Sequence, residues 1–419
     1  MNDAPIDLLR EAEAEALATP LADFNVAQPH RFKNNTMWPF FARLRREDPV
    51  HYCADSEFGP YWSITKYKDI MAVDTNHAAF SSDSGLGGIT IRDQAEDFKM
   101  PMFIAMDPPI HDAQRMAVSP IVAPGNLAKL EAVIRERVCL ILDALPRNET
   151  FDWVDRVSIE LTTQMLATLF DFPWEDRRKL TRWSDVATAA PGMGIIDTEE
   201  QRRAELMECA GYFMKLWNQR VNATSPGNDL ITMMAHAEAT RNMAPMEFLG
   251  NIILLIVGGN DTTRNSLTGG LYAFSKYPAE YAKLKANPGL LDSTVPEIIR
   301  WQTPLAHMRR TATRDQEVGG KLIKKGDRVV MWYVSGNRDD EAIENPEAFI
   351  IDRKRPRQHL SFGFGIHRCV GNRLAEMQIK IAWEEILKRN LDIEVLAEPD
   401  RVYSTFIKGY QSMPVRING

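Results

Sequence analysis

The sequence predicts a mainly α-helical protein with a smaller β region, and three observations predict it. Helical periodicity dominates: residues 126 to 145, 201 to 221 and 374 to 390 carry apolar side chains three and four positions apart, the spacing that lines one face of a helix. Strand-like stretches are short and gather towards the two ends of the chain. No internal repeat, low-complexity tract or Ser/Gly linker divides it. A helical body and a β region without a clean boundary are expected, although 419 residues alone would suggest two or three domains.

Taken in order, the N-terminal arm of about 35 residues opens with MNDAPIDLLREAEAEALATP, charged and alternating. It has neither the apolar core of a signal peptide nor a membrane-spanning run. Residues 49 to 67 read as a hairpin, with alternating aromatic and β-branched residues around Gly59-Pro60. Residues 81 to 100 read as a long irregular loop, a type that often serves as a lid or binding segment. Residues 318 to 333 and 401 to 417 read as two more hairpins.

Composition excludes several function classes. The formal net charge is -7, with acids and bases mixed along the chain, which argues against a nucleic-acid-binding face. The most apolar stretch, IILLIV at 252 to 257, is far too short to span a bilayer. The reading is a cytoplasmic, soluble protein with no membrane anchor. Cys53, Cys139, Cys209 and Cys369 are scattered, with no Cys-x-x-Cys pair, so a disulfide framework or a zinc site is not expected. Any cysteine that does chemistry does so alone.

Residues 246 to 276 read as one long helix, roughly 45 Å at 1.5 Å per residue. Gly258 and Gly259 sit in its middle, each costing about 1 kcal/mol relative to alanine, and Asn260, Asp261, Thr262 and Thr263 follow. Two readings stand side by side. One is a helix–helix contact with a capped break. The other is a locally widened helix holding water or a small ligand beside a carboxylate and a hydroxyl, able to pass protons. Downstream, Glu297 and Arg300 lie three apart on one helical face, ordinarily a weak surface pair. A buried version meeting Arg353 would clamp the loop that precedes Cys369.

That loop, FGFGIHRCVG at 362 to 371, poses the functional question: Cys369 is a packing residue, a nucleophile or a metal ligand. Gly363 and Gly365 permit backbone conformations closed to other residues, and Gly371 permits close packing after the cysteine. An amphipathic helix follows, so Cys369 sits where helix amides and the dipole favour a thiolate. His367, two residues away, is poorly placed as the base of a nucleophile. A shielded thiolate suits an axial metal ligand better.

F-G-x-G-x-H-x-C-x-G, here Phe362, Gly363, Gly365, His367, Cys369 and Gly371, resembles the signature of the cytochrome P450 heme-thiolate monooxygenases. Gly259-x-Asp261-Thr262, Glu297-x-x-Arg300, and His111-x-x-x-Arg115 after Pro108-Pro109 resemble further family motifs, in the family's order. The resemblance implies one triangular domain, 1–419, around a buried heme b, which overrides the length argument. By the same resemblance Cys369 is the thiolate ligand of the iron and Phe362 packs beside its sulfur. His111, Arg115 and His367 match heme-propionate positions, and Gly371 completes the heme loop. Arg310, counted back from GGKLIKKGD, fits a fourth propionate partner, with neighbouring Arg309 as the competitor. Asp261 would relay protons and Thr262 would deliver them during dioxygen cleavage.

The substrate pocket is expected from the 81 to 105 loop, the helices around 180 to 215, Val257 and Gly258, the segment after Glu-x-x-Arg, and the final hairpin. These supply Ile89, Met193, Leu216, Leu305, Met308 and Phe406, an apolar set for an apolar small molecule. GGNDTTRNS, TPLAHMRRTA and MDPPIHDAQRMAVSPIVAP resemble a narrower group, the soluble bacterial terminal hydroxylases of medium-chain alkanes and fatty acids. The alternative on the same fold is a hydroxylase of steroids, terpenes or aromatics. With no fused flavin domain, the resemblance implies a monomer that takes O2, with electrons from NAD(P)H arriving through a ferredoxin reductase and a ferredoxin. Arg368, Arg373 and the KRPR run at 354 to 357 would offer a docking face. Other classes fit less well. A peroxide-driven relative would typically replace Asp261-Thr262. A heme sensor needs no proton relay, and a cysteine hydrolase needs a well-placed base.

Overall fold

A computed structural model describes residues 6–224 and 227–419. Contacts gather the chain into two compact units, each assembled from separated segments. One holds the chain up to Asp93 with Gly269–Cys369 and Asp400–Gln411; the other holds Gln94–Thr268, Val370–Pro399 and Ser412–Gly419.

The first unit is built on a five-stranded sheet, in the order Val50–Cys53, Tyr61–Ile64, Arg328–Met331, Met308–Ala312, Phe80–Ser81. The first pair is the expected hairpin, antiparallel with Val50 opposite Ile64. Tyr61–Ile64 then runs parallel to Arg328–Met331, which is antiparallel to Met308–Ala312 with Met308 opposite Met331. The N-terminal arm is not a loose appendage. Phe24, Val26 and Phe32 are buried with Phe40, Phe41 and Trp332; the rings of Phe41 and Trp332 lie 5.2 Å apart.

The hairpin expected over 318 to 333 is shifted. Gln316–Val318 pairs with Lys321–Ile323 across Gly319 and Gly320, both at positive φ, the conformation a two-residue turn requires. Val329, Val330 and Met331 are fully buried instead in the central sheet. The expected third hairpin is divided likewise. Asp400–Arg401 pairs with Tyr410–Ser412, while Pro414–Asn418 lies between Thr150–Asp152 and Asp392–Val395.

The second unit is mainly helical and also holds that three-stranded sheet. Pro124–Asp143, Glu199–Val221 and Asn372–Lys388 appear where periodicity placed them. Phe170, Phe172, Trp183 and Phe213 form an aromatic core, the Phe170 and Phe213 rings 5.1 Å apart. Residues 82 to 100, divided between the two units, contain only two 3-10 turns, Ser84–Leu86 and Glu96–Phe98. Among the described residues no helix is long and apolar enough to cross a membrane.

Candidate active site

Cys369 is exposed at the end of a turn whose shape is fixed by its own backbone. Its amide donates to Phe362 O (2.8 Å), Gly363 N donates to Leu360 O (2.8 Å), and Gly365–His367 forms a single 3-10 turn. Gly363 and Gly365 adopt φ of 64° and 66°, the left-handed region that favours glycine. A Cβ on Gly365 would also stand 2.8 Å from Asp74 O. Gly371 behaves differently from expectation. Its φ is -88°, and a Cβ there would meet no atom within 4 Å, so it relieves no packing within the protein.

The residue that seats this turn carries no motif. Asp74 is fully buried at the end of the helix Tyr67–Asp74. Its Oδ2 accepts from Phe364 N (2.8 Å) and Tyr333 Oη (2.9 Å), and its Oδ1 accepts from Arg310 (2.8 Å). One carboxylate therefore joins the cysteine turn to Arg310. The neighbour Arg309 is committed elsewhere: it pairs with Asp93, donates to Leu86 O (3.3 Å), and lies where a Cβ on Gly87 would be. Of the two arginines, Arg310 is the one tied to the cysteine turn.

A second clamp holds the approach to the loop. Glu297 and Arg300 are both completely buried, which removes the surface-pair reading. Arg300 grips Glu297 in a bidentate pair (2.7 and 2.8 Å) and donates to Asn337 O, Pro346 O and Ala348 O. Arg353 closes the arrangement on Glu297 (2.8 Å) and on Ala348 O (2.7 Å). Removing Glu297 would leave Arg300 and Arg353 without a counter-charge, costing about 3–5 kcal/mol.

Pro245–Lys276 is a continuous α-helix of 32 residues, in the second unit as far as Thr268, so the expected local break is absent. The hydroxyls and amides bond back along the helix instead. Thr262 Oγ1 donates to Gly258 O (2.9 Å), Asn265 to Asp261 O (2.7 Å) and Ser266 to Thr262 O (2.8 Å). The two glycines have separate uses. A Cβ on Gly259 would meet Leu166 at 2.7 Å, a close helix contact, whereas Gly258 faces open space and is exposed.

Asp261 is entirely buried and Thr262 is half-exposed. Arg264, one turn on, donates to Asp261 Oδ1 (2.9 Å) and to Asp185 Oδ1 (2.6 Å) on the helix Arg178–Thr188. Burial raises the Asp261 carboxyl to about 6, with Arg264 opposing and Asp185 adding to the rise. A carboxyl poised there can take up and release a proton near neutral pH. Neither Arg264 nor Asp185 was singled out in the sequence; the i, i+3 spacing from Asp261 was the available signal for the first.

His111 and Arg115 share one face of the helix Ile110–Val118 by their i, i+4 spacing. His111 is buried, with Nδ1–H donating to Asp112 (2.8 Å). His367 is also buried. The site residues thus fall in two sets. The first unit contains Phe362, His367, Cys369, Arg310, Ile89, Leu305, Met308 and Phe406; the second contains His111, Arg115, Val257, Gly258, Asp261, Thr262, Met193, Leu216 and Gly371. Of the proposed pocket residues, Leu216 is buried core and Met193 is surface-exposed.

The donor set can be tested against a heme. Among the described residues no three His, Cys, Asp or Glu side chains gather as a metal site, and Cys369 is the exposed cysteine. The thiol is exposed on a preformed turn, Arg310 supplies a buried cation tied to that turn, and Gly371 has room beside it. These fit a thiolate-ligated, carboxylate-bearing macrocycle.

Comparison with known proteins agrees. The family model described as Cytochrome P450 matches residues 183–402. The solved structure of CYP153D17 from Sphingomonas sp. PAMC 26605 is 49% identical with a TM-score of 0.89, covering 96% of this chain and 100% of its own. Linalool 8-monooxygenase of Pseudomonas putida is 33% identical over 93% of this chain and 98% of its own. The methyl-branched lipid omega-hydroxylase of Mycobacterium tuberculosis is 31% identical over 90% of each.

Proposed function

Because the chain belongs to the cytochrome P450 family of heme-thiolate monooxygenases, we propose that it hydroxylates the terminal carbon of medium-chain alkanes or fatty acids. When bound, the heme would supply the oxygen-splitting chemistry, favoured by electron donation from a cysteine thiolate. Cys369 provides that thiolate, and Asp74 and the Glu297–Arg300–Arg353 clamp hold its turn. Phe362 packs beside the sulfur and Gly371 leaves room for the macrocycle edge. Arg310, His367, His111 and Arg115 bind propionate carboxylates.

Oxygen-splitting chemistry on a bound heme would draw protons from the protein. Thr262 Oγ1, lodged on Gly258 O, is the hydroxyl that hands them on, and Asp261 is the buried acid that reloads it. Val257 and Gly258 give the substrate access on the same helix. Electrons from NAD(P)H come through a ferredoxin reductase and a ferredoxin docking on the basic residues near Arg368. The protein works as a single-domain monomer in the cytoplasm.

One observation carries the substrate reading. Two apolar segments far apart in sequence are tied to residues 304 to 309 of the first unit. Arg309 N donates to Ile89 O (2.8 Å), Ala306 N donates to Phe406 O (2.9 Å), and Leu305 bridges to Ile407. Ile89, Leu305, Met308 and Phe406 thereby share one backbone frame. A rigid apolar frame suits terminal attack, where a chain end must be held in place because its C–H bond is stronger than its neighbours. The omega-hydroxylase relative supports this reading, and the linalool relative supports the terpene alternative.

The test titrates the heme-loaded protein with octane, dodecanoic acid, linalool and a steroid, following the spin shift, and then identifies the oxidised carbon. Terminal alcohols from the linear substrates support the proposal. Turnover confined to linalool or the steroid overturns it.

A further inference from the structure

His307 lies at the centre of the frame just described, in a stretch, TPLAHMRRTA, whose histidine no motif explains. Its ring is completely buried, 4.9 Å from the Trp332 ring and 5.4 Å from that of Phe406. Nδ1 lies 2.8 Å from Thr405 O, and Nε2 lies 3.2 Å from Ile91 N. An amide N–H can only donate, so Nε2 is the bare acceptor and Nδ1 carries the proton. A second ring proton would set N–H against N–H. Burial lowers the imidazole to about 4, so the ring is neutral at pH 7.

The placement of those bonds matters more than their number. Along one edge, Lys408 N donates to Pro304 O, Leu305 bridges to Ile407, and Ala306 N donates to Phe406 O, in antiparallel order. The next rung falls at residue 307, and the ring makes it, to Thr405 O. Along the other edge, Thr311 Oγ1 holds Leu86 O and Arg309 N holds Ile89 O, again antiparallel. The next rung is Ile91 N, and the ring makes that one too. One rigid imidazole extends both ladders by a residue and fixes the separation between the 86 to 93 loop and the 404 to 408 turn.

We infer that His307 is a positioning residue for specificity, holding the Ile89–Ile91 loop and the Thr405–Phe406 turn at the spacing that admits a chain end and excludes the penultimate carbon. This rests on the terminal-hydroxylation reading. A neutral bidentate ring suits the task because it is short, planar and cannot re-pair with water once buried.

The experiment compares wild type, His307→Phe and His307→Gln as full-length, heme-loaded proteins acting on octane. Phenylalanine keeps the bulk and loses both bonds, whereas glutamine restores one donor and one acceptor. All three should keep the reduced, carbon-monoxide-bound band of thiolate ligation. The ratio of terminal to penultimate alcohol should fall about fivefold or more in His307→Phe and recover to at least about half the wild-type value in His307→Gln. An unchanged ratio in His307→Phe, or equal losses in both variants, overturns the inference. If His307→Phe fails to load heme, wild-type amide exchange decides: slow exchange at Ile91 relative to Thr90 and Arg92 supports the tie, and equal rates overturn it. A wild type that never oxidises the chain end overturns the substrate reading instead. The inference is then judged on the octane spin shift, whose dissociation constant must rise in His307→Phe and recover in His307→Gln.

Discussion

Asp74→Asn probes the seat of the cysteine turn. The substitution keeps the volume but removes the negative charge that faces Arg310, at a site where both side chains are almost wholly inaccessible. Taking the carboxylate out of this buried pair costs about 3–5 kcal/mol. The new amide also turns an NH2 group towards some of the donors that Asp74 now accepts: Tyr333 Oη, Phe364 N and Arg310. Unfolding entropy of roughly 2.1 cal/mol/K per residue gives about 0.9 kcal/mol/K for 419 residues. The melting temperature should therefore fall by roughly 3–6 °C, measured by calorimetry on the heme-loaded protein. Tyr333→Phe is the control. It removes one hydrogen bond to the carboxylate, worth about 1.5–3 kcal/mol, and should lower the midpoint by roughly 2–3 °C. Because Phe364 N–H loses its anchor only in Asp74→Asn, that variant alone should show part of its carbon-monoxide band displaced from the thiolate form. Equal melting temperatures for wild type and Asp74→Asn would refute the reasoning.

Thr262→Ala should retain heme and substrate binding but release reducing equivalents as peroxide; coupling of electrons to product that stays at the wild-type level contradicts the relay. The wild-type kcat profile should contain a titration near pH 6, from the raised Asp261 carboxyl, and Asp261→Asn should lose it along with at least about tenfold in kcat. Glu297→Gln leaves Arg300 and Arg353 facing a neutral amide and should lower heme occupancy after purification, read from the ratio of Soret to protein absorbance. Glu385 gives a stability test in acid. Burial pushes its carboxyl up, but hydrogen bonds from Arg389 and Arg135 outweigh this and hold it at about 2. Its stabilisation is therefore present above the ordinary carboxylate range and lost as pH falls towards 2, so the gap in melting temperature between wild type and Glu385→Gln should narrow on acidification.

The motifs were legible because each is local: the glycine turn, the His-x-x-x-Arg face and the Asp-Thr step all announce themselves within ten residues. Glu297 and Arg300 were legible as a pair, and their burial turns a weak contact into a clamp. What the sequence concealed lies in pairings across long separations. Asp74 meets Phe364 290 residues away, and His307 meets Ile91 216 residues away; neither side chain differs from hundreds of ordinary aspartates and histidines. The long helix shows a different limit. Gly258, Gly259 and four polar residues suggested a break by propensity, but the helix stays whole, with Thr262, Asn265 and Ser266 satisfying their side chains on carbonyls one turn back. The shifted hairpin at 316 to 323 has a similar cause. Gly319-Gly320 formed the turn, and burial drew Val329–Met331 into the central sheet.

The central claim is that Cys369 is the protein's thiolate ligand to the heme iron. The reduced, carbon-monoxide-bound spectrum of wild type and Cys369→Ser tests it most directly. Wild type should show the red-shifted Soret band of a thiolate-ligated heme, and the serine variant should lack it. The same band persisting in Cys369→Ser, or absent from heme-loaded wild type, would contradict the account.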